Sequence, residues 1–147
     1  MIRIANKNDA EAIIDYNKKL AFETEGIILD NNKITNGVNA ILNDQSKGFY
    51  YVYEIDGKVI GQLLITFEYS DWRNANIWWI QSVYVNLDYR RQGIFQALYN
   101  HIKNIVDNNP EVAGLRLYVE KENKTAQNTY TKLGMSESCY YLYEWLK

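Results

Sequence analysis

Apolar side chains recur along the chain with two periods, and the switches between them mark the elements. Ile2 to Ala5 alternates and predicts a short first strand. Asn8 and Glu11 have capping-box spacing, and Ile13, Ile14, Tyr16, Asn17, Leu20 and Ala21 then trace one stripe of a helix. Phe22 to Leu29, which contains Gly26, reads as a loop, and a shorter helix follows, capped by Asn31 or Asn32 and carrying Ile34, Val38, Ile41 and Leu42. Period two returns at Phe49 to Ile55, with Phe49, Tyr51, Tyr53 and Ile55 on one face. Asp56-Gly57 is the pair favoured where both turn residues need positive φ, so Lys58 to Phe67 comes back as the second strand of a hairpin. Its expected common face is Val59, Gly61, Leu63, Ile65 and Phe67.

Glu68 to Asn76 reads as a polar loop interrupted by Trp72. Ile77 to Val85 is apolar with too little alternation for a solvated edge, which predicts a central strand covered on both faces. Asn86 to Arg91 leads into Gly93, and Ile94, Phe95, Leu98, Ile102, Ile105 and Val106 continue at helical spacing through about Asp107. Asn108-Asn109-Pro110 ends that helix, because proline pushes its predecessor out of helical geometry. Leu115 to Val119 is a strand, Lys124 to Leu133 a short helix closed by Gly134, and Cys139 to Trp145 a last strand. The order is β-α-α-β-β-β-α-β-α-β. No linker or repeat divides it, so residues 1–147 are expected to form a single domain.

Composition narrows the classes. A chain of 147 residues can bury a sizeable core unaided. One cysteine, Cys139, and one histidine leave no internal disulfide and no zinc cluster, so no metal is expected. Cys139 reads as a small buried hydrophobe of the last strand. The 13 tyrosines and four tryptophans fit strand packing. Sixteen basic against 18 acidic side chains provide no broad basic surface, which argues against nucleic acid while leaving room for a local anion site. No apolar run spans a membrane and no secretory pattern opens the chain, so the expected location is cytoplasmic, with no membrane partner.

The sharpest local feature is Val83-Tyr84-Val85-Asn86-Leu87-Asp88-Tyr89-Arg90-Arg91-Gln92-Gly93-Ile94-Phe95, a strand passing through a basic turn into a long helix. The first helical turn leaves main-chain N–H groups unpaired and the peptide dipoles favour an anion there. Gly93 permits close approach, and Arg90 and Arg91 add positive charge. Residues alone leave two readings open: a pyrophosphate cradle, or an ordinary strand-to-helix connection with solvated arginines. The segment is neither GxxxxGK[ST] nor GxGxxG, which counts against a P-loop nucleotide hydrolase and a hydride-transfer enzyme.

Arg90-Arg91-Gln92-Gly93-Ile94-Phe95 resembles the [RQ]xxGx[GA] motif of the GCN5-related N-acetyltransferase (GNAT) family, with Phe95 in place of a small residue. Asn123 to Met135 resembles a second motif of that family, NxxAxxxYxKxGF, with Met135 in place of phenylalanine. The resemblance implies an α/β (α+β) acyl-CoA N-acyltransferase fold: a central mixed sheet with a splayed pair of parallel strands, here Ile77 to Val85 and Leu115 to Val119, flanked by helices. It implies acetyl-CoA as cosubstrate, its pyrophosphate on the amides around Arg91, Gln92, Gly93, Ile94 and Phe95, beside Arg90. The pantetheine arm would lie along Val83, Tyr84 and Val85. Phe95 must then turn toward the core or wall the cofactor site.

The same resemblance makes Tyr130 the general acid for the leaving thiolate and gives Asn123 and Ala126 cofactor contacts, although Asn123 could equally cap its helix. The implied activity is direct acetyl transfer to a primary amine of a small molecule or peptide. The alternatives are a non-catalytic acyl-CoA-binding or sensory domain, or a structural partner protein. For the base, Gln81 is unsuitable; Glu68, Glu120 or a water chain remain, the water chain preferred. The amine pocket is expected near the first two helices and the Glu68 to Asn76 loop, with Glu23, Glu25 and Asp71 drawing a cation and Trp72, Trp78 and Trp79 bordering it. Edge strands and aromatic surfaces also permit a homodimer, unranked against a monomer.

Overall fold

The computed structural model describes all residues, Met1 to Lys147. Five strands form one mixed sheet in the order β1 (Ile2–Ile4), β2 (Phe49–Ile55), β3 (Lys58–Ser70), β4 (Ala75–Val85) and β5 (Val112–Leu117). Helices α1 (Ala10–Glu25) and α2 (Asn31–Asn43) cover one face and α3 (Ile94–Asp107) the other, with α4 (Lys124–Lys132) after β5. No helix is long and apolar enough to cross a membrane.

The hairpin turn is as its residues demand: Asp56 and Gly57 both have positive φ, at 49° and 76°. One face of the sheet packs Tyr51, Ile60, Leu63, Ile65, Trp78 and Ile80 on Ile94, Leu98 and Ile102 of α3. The other packs Tyr50, Val52, Val59, Leu64 and Tyr84 on Ile13, Tyr16 and Val38. Leu98 and Ile102 are fully buried, each stabilising the fold by roughly 1.5–3 kcal/mol. β4 is covered on both faces, as its unbroken apolar run predicts. Val59 departs from its expected face: a register shift opposite Tyr53/Glu54 turns Ile60 toward α3 and Val59 toward α1 and α2.

Several boundaries move. The capping box is Asn6 with Asp9, on a short 3-10 turn before α1, and Asp30 rather than Asn31 or Asn32 caps α2. α1 extends through Glu25 into the span expected to be loop, and Gly26 ends it in the left-handed region. Glu68 to Asn76 is mostly strand: β3 continues to Ser70 and β4 starts at Ala75, leaving only a tight turn between them. β5 lies three residues earlier at its start than Leu115.

The last expected strand is absent. Cys139 to Trp145 lies outside the sheet, and Cys139 is an exposed free thiol rather than a buried hydrophobe. The strand-like period is present, but no strand of this molecule accepts it.

At the other edge, β1 is only three residues long and firmly held. The Arg3 guanidinium donates to both carboxylate oxygens of buried Asp9 (2.7 and 2.9 Å) and to Glu54 (2.6 and 2.8 Å). Chiefly through the Arg3 hydrogen bonds, the Asp9 carboxyl sits below the usual carboxylate range.

Candidate active site

β4 is paired unequally. Toward β3 its antiparallel ladder runs from Ala75 opposite Ser70 to Val85 opposite Gly61. Toward β5 the parallel ladder stops at Ile80 opposite Leu117. Gln81 to Val85 therefore have no strand beside them on this flank, where the two strands part. Ser82, at φ 49°, occupies an irregularity in the β3 register at the start of this stretch, and the Gln62 side chain donates to its carbonyl at 3.2 Å.

The turn after β4 leads straight to the start of α3. Gly93 caps that helix in the left-handed region, at φ 78°, with no side-chain cap. The first helical bond runs from the Ala97 amide to the Gly93 carbonyl. The six amides of Arg91 to Gln96 have no acceptor in the protein, main chain or side chain. α2 and α4 differ: Asp30 accepts from the Lys33 amide at 2.8 Å, and Asn123 from the Ala126 amide at 3.1 Å. An uncapped run of this length at a positive helix end fits a diphosphate, which brings the oxygens those donors lack. The expected cosubstrate suits the residues present.

The arginines divide their tasks. Arg90 is engaged within the protein: its guanidinium meets Glu23 at 2.7 Å and donates to the Val85 carbonyl at 2.9 Å. Arg91, at φ 63° and exposed, forms no hydrogen bond and is the free cation of the pair. The Gln92 side chain closes the turn on the Asp88 carbonyl. Val85 thus keeps its N–H but has its carbonyl occupied, while half-buried Val83 packs against the core.

Tyr84 points the other way, with its ring buried beside Tyr16 (centroids 4.9 Å apart) and its hydroxyl donating to Glu23 at 2.9 Å. Burial and the adjacent carboxylate push its phenol up to about 12. Burial also raises Glu23, but the hydrogen bonds from Arg90 and Tyr84 outweigh it and hold that carboxyl below its ordinary value.

Phe95 turns toward the core, the first of the two courses its size allows. Its ring packs toward the core near Tyr99 (6.3 Å) and meets the Tyr130 ring edge-on at 5.8 Å. Motif residues 35 positions apart are thereby brought into contact. Tyr130 is half-buried, burial raises its phenol above the ordinary value, and its hydroxyl has no hydrogen-bond partner. Asn123 is the helix cap, and it binds the Ala126 amide, so that donor is already used.

Other candidates lie elsewhere. Glu68 accepts from the Trp79 indole (3.1 Å) and pairs with Arg116 (2.8 Å), so neither oxygen is free; Glu120 is exposed. Trp78 is core on the α3 face and Trp72 stands at the β3–β4 turn, 91% exposed. Trp79 stacks on Tyr118 at 4.5 Å, Asp71 caps the turn at Trp72, and Glu25 is exposed. A cavity of about 480 Å³ opens between the end of α1 and the start of α2, lined by Phe22, Ile27, Ile28 and Leu29 with Lys18 and Glu23. Glu23 links this cavity to Tyr84 and Arg90. Sequence reading named Glu23 for its charge and missed this linkage, which joins residues 61 and 67 positions apart.

Comparison with known proteins gives this geometry a family. The model of the acetyltransferase (GNAT) family matches residues 12–135. The chain belongs to the GNAT family of acetyltransferases. A solved structure of a possible acetyltransferase from Clostridium difficile 630 is 50% identical, with a TM-score of 0.96 covering 100% of this chain, the C-terminal segment included, and 97% of that one. A predicted acetyltransferase with acetyl-CoA from Clostridium acetobutylicum is 17% identical, with a TM-score of 0.77 over 98% and 94% of the two chains. AAC(6')-Iy in complex with a CoA bisubstrate analogue is 16% identical, at 0.80 over 100% and 97%. The last two share the fold alone. No curated protein matches the sequence significantly. This GNAT chain is an acetyltransferase acting on an amine acceptor, on a mixed sheet flanked by helices.

Proposed function

We propose that this GNAT protein transfers the acetyl group of acetyl-CoA directly to a primary amine of a small molecule or peptide, with both substrates bound together. The observation that carries the reading is the run of six partnerless amides, Arg91 to Gln96, at the foot of α3 beside the open flank of β4. Those amides and the Arg91 guanidinium would hold the diphosphate. The free edge at Val83 to Val85 would receive the pantetheine arm as an added strand. Phe95 walls this channel and holds the Tyr130 ring.

Acetyl-CoA supplies the activated acyl group as a thioester. The amine nitrogen bonds to the acyl carbon, the carbon–sulfur bond breaks, and the sulfur departs with its electron pair. Tyr130 would give that sulfur its proton: a phenol is protonated at neutral pH, burial raises this one further, and its hydroxyl has no other partner in the protein. A proton must also leave the amine. Glu68 is committed to Trp79 and Arg116, which favours a water chain to solvent as the base. The cavity beside Glu23 is the acceptor site this reading selects, because it adjoins Tyr84 and Arg90 at the turn.

A turnover screen of acetyl-CoA against chemically varied amines, with mass detection, tests the reading. The expected result is free CoA and a product heavier by one acetyl group. Tight acetyl-CoA binding without acetylated product from any small amine or peptide would leave only an acyl-CoA sensor.

A further inference from the structure

Gln62 of β3 is fully buried on the sheet face that α1 and α2 cover. Its cross-strand neighbours, Val52 and Tyr84, both belong to the apolar cluster of that face. A leucine would suit such a place, because an amide taken out of water costs free energy wherever it is left without a hydrogen bond. This amide is so left on one side: its Oε1 meets no donor in the protein. Its Nε2 is fully engaged, donating to the Ser82 carbonyl at 3.2 Å and to Asn17 Oδ1 at 3.4 Å. Asn17, itself buried on α1, donates in turn to the Tyr50 hydroxyl at 3.2 Å.

The carbonyl that Gln62 holds belongs to the residue at which β4 changes phase. Gln62 lies opposite Tyr84 and Leu64 opposite Gln81, so Leu63 faces two residues, Ser82 and Val83. Ser82 takes up the extra step at φ 49°, a conformation that a residue with a side chain keeps only where its surroundings impose it. The consequence shows in the side chains. Before this point Trp78 and Ile80 face α3; after it Tyr84 faces α1 and α2, while Val83 and Val85 pack on the α3 side. An unbroken strand would have put Tyr84 with Trp78 and Ile80, since alternate residues share a face.

The same point is where the β5 ladder has just ended, at Ile80. The directions in which Val83 to Val85 aim their N–H and C=O groups along the open flank are therefore set at Ser82. No side chain other than Gln62 bonds to the Ser82 main chain.

Building on the acetyl-CoA reading above, we infer that Gln62 is a positioning residue for the cosubstrate: its amide clamps the Ser82 carbonyl from the α1 side and so fixes how Val83 to Val85 meet the pantetheine arm. A donor so placed accounts for a costly amide in a largely apolar layer, and Asn17 holds its second N–H in line.

Binding to the unaltered chain and to two variants tests this role. Gln62→Leu keeps the bulk, suits the apolar layer and removes the clamp. Calorimetry should find acetyl-CoA bound about 10-fold more weakly, the worth of roughly one hydrogen bond. ADP brings a diphosphate without the arm, and its Kd, read by NMR titration, should stay within about twofold because it meets only the amides at α3. Gln62→Glu gives the sharper readout. An ionised carboxylate cannot donate to the Ser82 carbonyl whereas a protonated one can, and burial raises the pKa of such a group. Its acetyl-CoA affinity should recover relative to the unaltered chain as pH falls from about 8 to about 5.5, while the deficit of Gln62→Leu stays flat. The phenols beside it, Tyr50 and Tyr84, are raised by burial and do not titrate over that range.

Unchanged acetyl-CoA binding in Gln62→Leu overturns the proposal, as does an equal loss for ADP, which would make Gln62 a residue of the fold alone. A Gln62→Glu deficit that does not change with pH overturns it too, and decides alone if Gln62→Leu fails to fold. An unaltered chain that binds no acetyl-CoA would overturn the proposed function itself, and this role with it.

Discussion

The two flanks of β4 are made of the same eleven residues, yet one is closed and the other open. Toward β3 the ladder runs from Ala75 to Val85, interrupted only at Ser82 and Val83. Toward β5 the ladder ends at Ile80. On the closed side, main-chain hydrogen bonding is spent on the fold; on the open side no strand takes it up past Ile80, and the six amides that lead into α3 are unpaired as well. Such unpaired donors are tolerated where water or a ligand can reach them. On the proposed reading, stability and ligand binding divide along a single strand, and a substitution on either side should disturb mainly one of them.

The largest expected effect is on the open side. Tyr130→Phe removes the proposed proton donor while keeping the ring against Phe95. It should lower kcat about 100-fold and leave KM for acetyl-CoA within about twofold, as steady-state kinetics would show. Unchanged kcat would make Tyr130 a packing residue only. Next comes Gly93→Asp, which sets a carboxylate beside the partnerless amides. Calorimetry should find CoA binding weakened on the order of 100-fold with helix content kept, the charge repelling the diphosphate. A near-unchanged Kd would separate those amides from the cofactor.

On the closed side, a Cβ at Gly61 would stand 2.9 Å from Ile94 Cγ2 and 3.5 Å from the Tyr84 carbonyl oxygen. Gly61→Ala should cost about 1–3 kcal/mol, read from the urea midpoint, by pushing α3 from the sheet. A larger loss in CoA affinity than in stability would show that the two flanks are coupled through Ile94.

The smallest effect concerns the bridge between the flanks. Glu23→Gln removes a partly exposed ion pair with Arg90, so stability should fall by less than about 1 kcal/mol. The Tyr84 phenol should titrate below its present value of about 12, because burial would remain but the carboxylate would not. A raised folded-state pKa stabilises fully below the ordinary phenol pKa, and that contribution fades as pH rises through about 12. The variant should lose part of this contribution, measurable by ultraviolet phenol titration and alkaline unfolding.

Features set by neighbouring residues were legible in the sequence. Asp56-Gly57 dictates its hairpin because both residues must take positive φ. The α3 stripe and the glycine at its start locate the amide cluster by spacing alone. Features set by distant residues were not. Arg90 reads as a phosphate ligand until Glu23 proves to hold it. Glu68, Tyr69 and Ser70 look like loop because they are polar, yet pairing with Ile77, Asn76 and Ala75 makes them strand. The apolar run from Cys139 to Trp145 reads as a strand, yet no strand of this molecule pairs with it.

The Arg3 fork to Asp9 and Glu54 bears on how large an assembly can become. Molecules with two adhesive borders polymerise into fibres, whereas those with one stop at pairs. β1 is too short to template another chain, and its only arginine is spent inward on two carboxylates. That border of the sheet is thereby closed to edge-to-edge growth, which matters in an aromatic-rich, sheet-forming sequence.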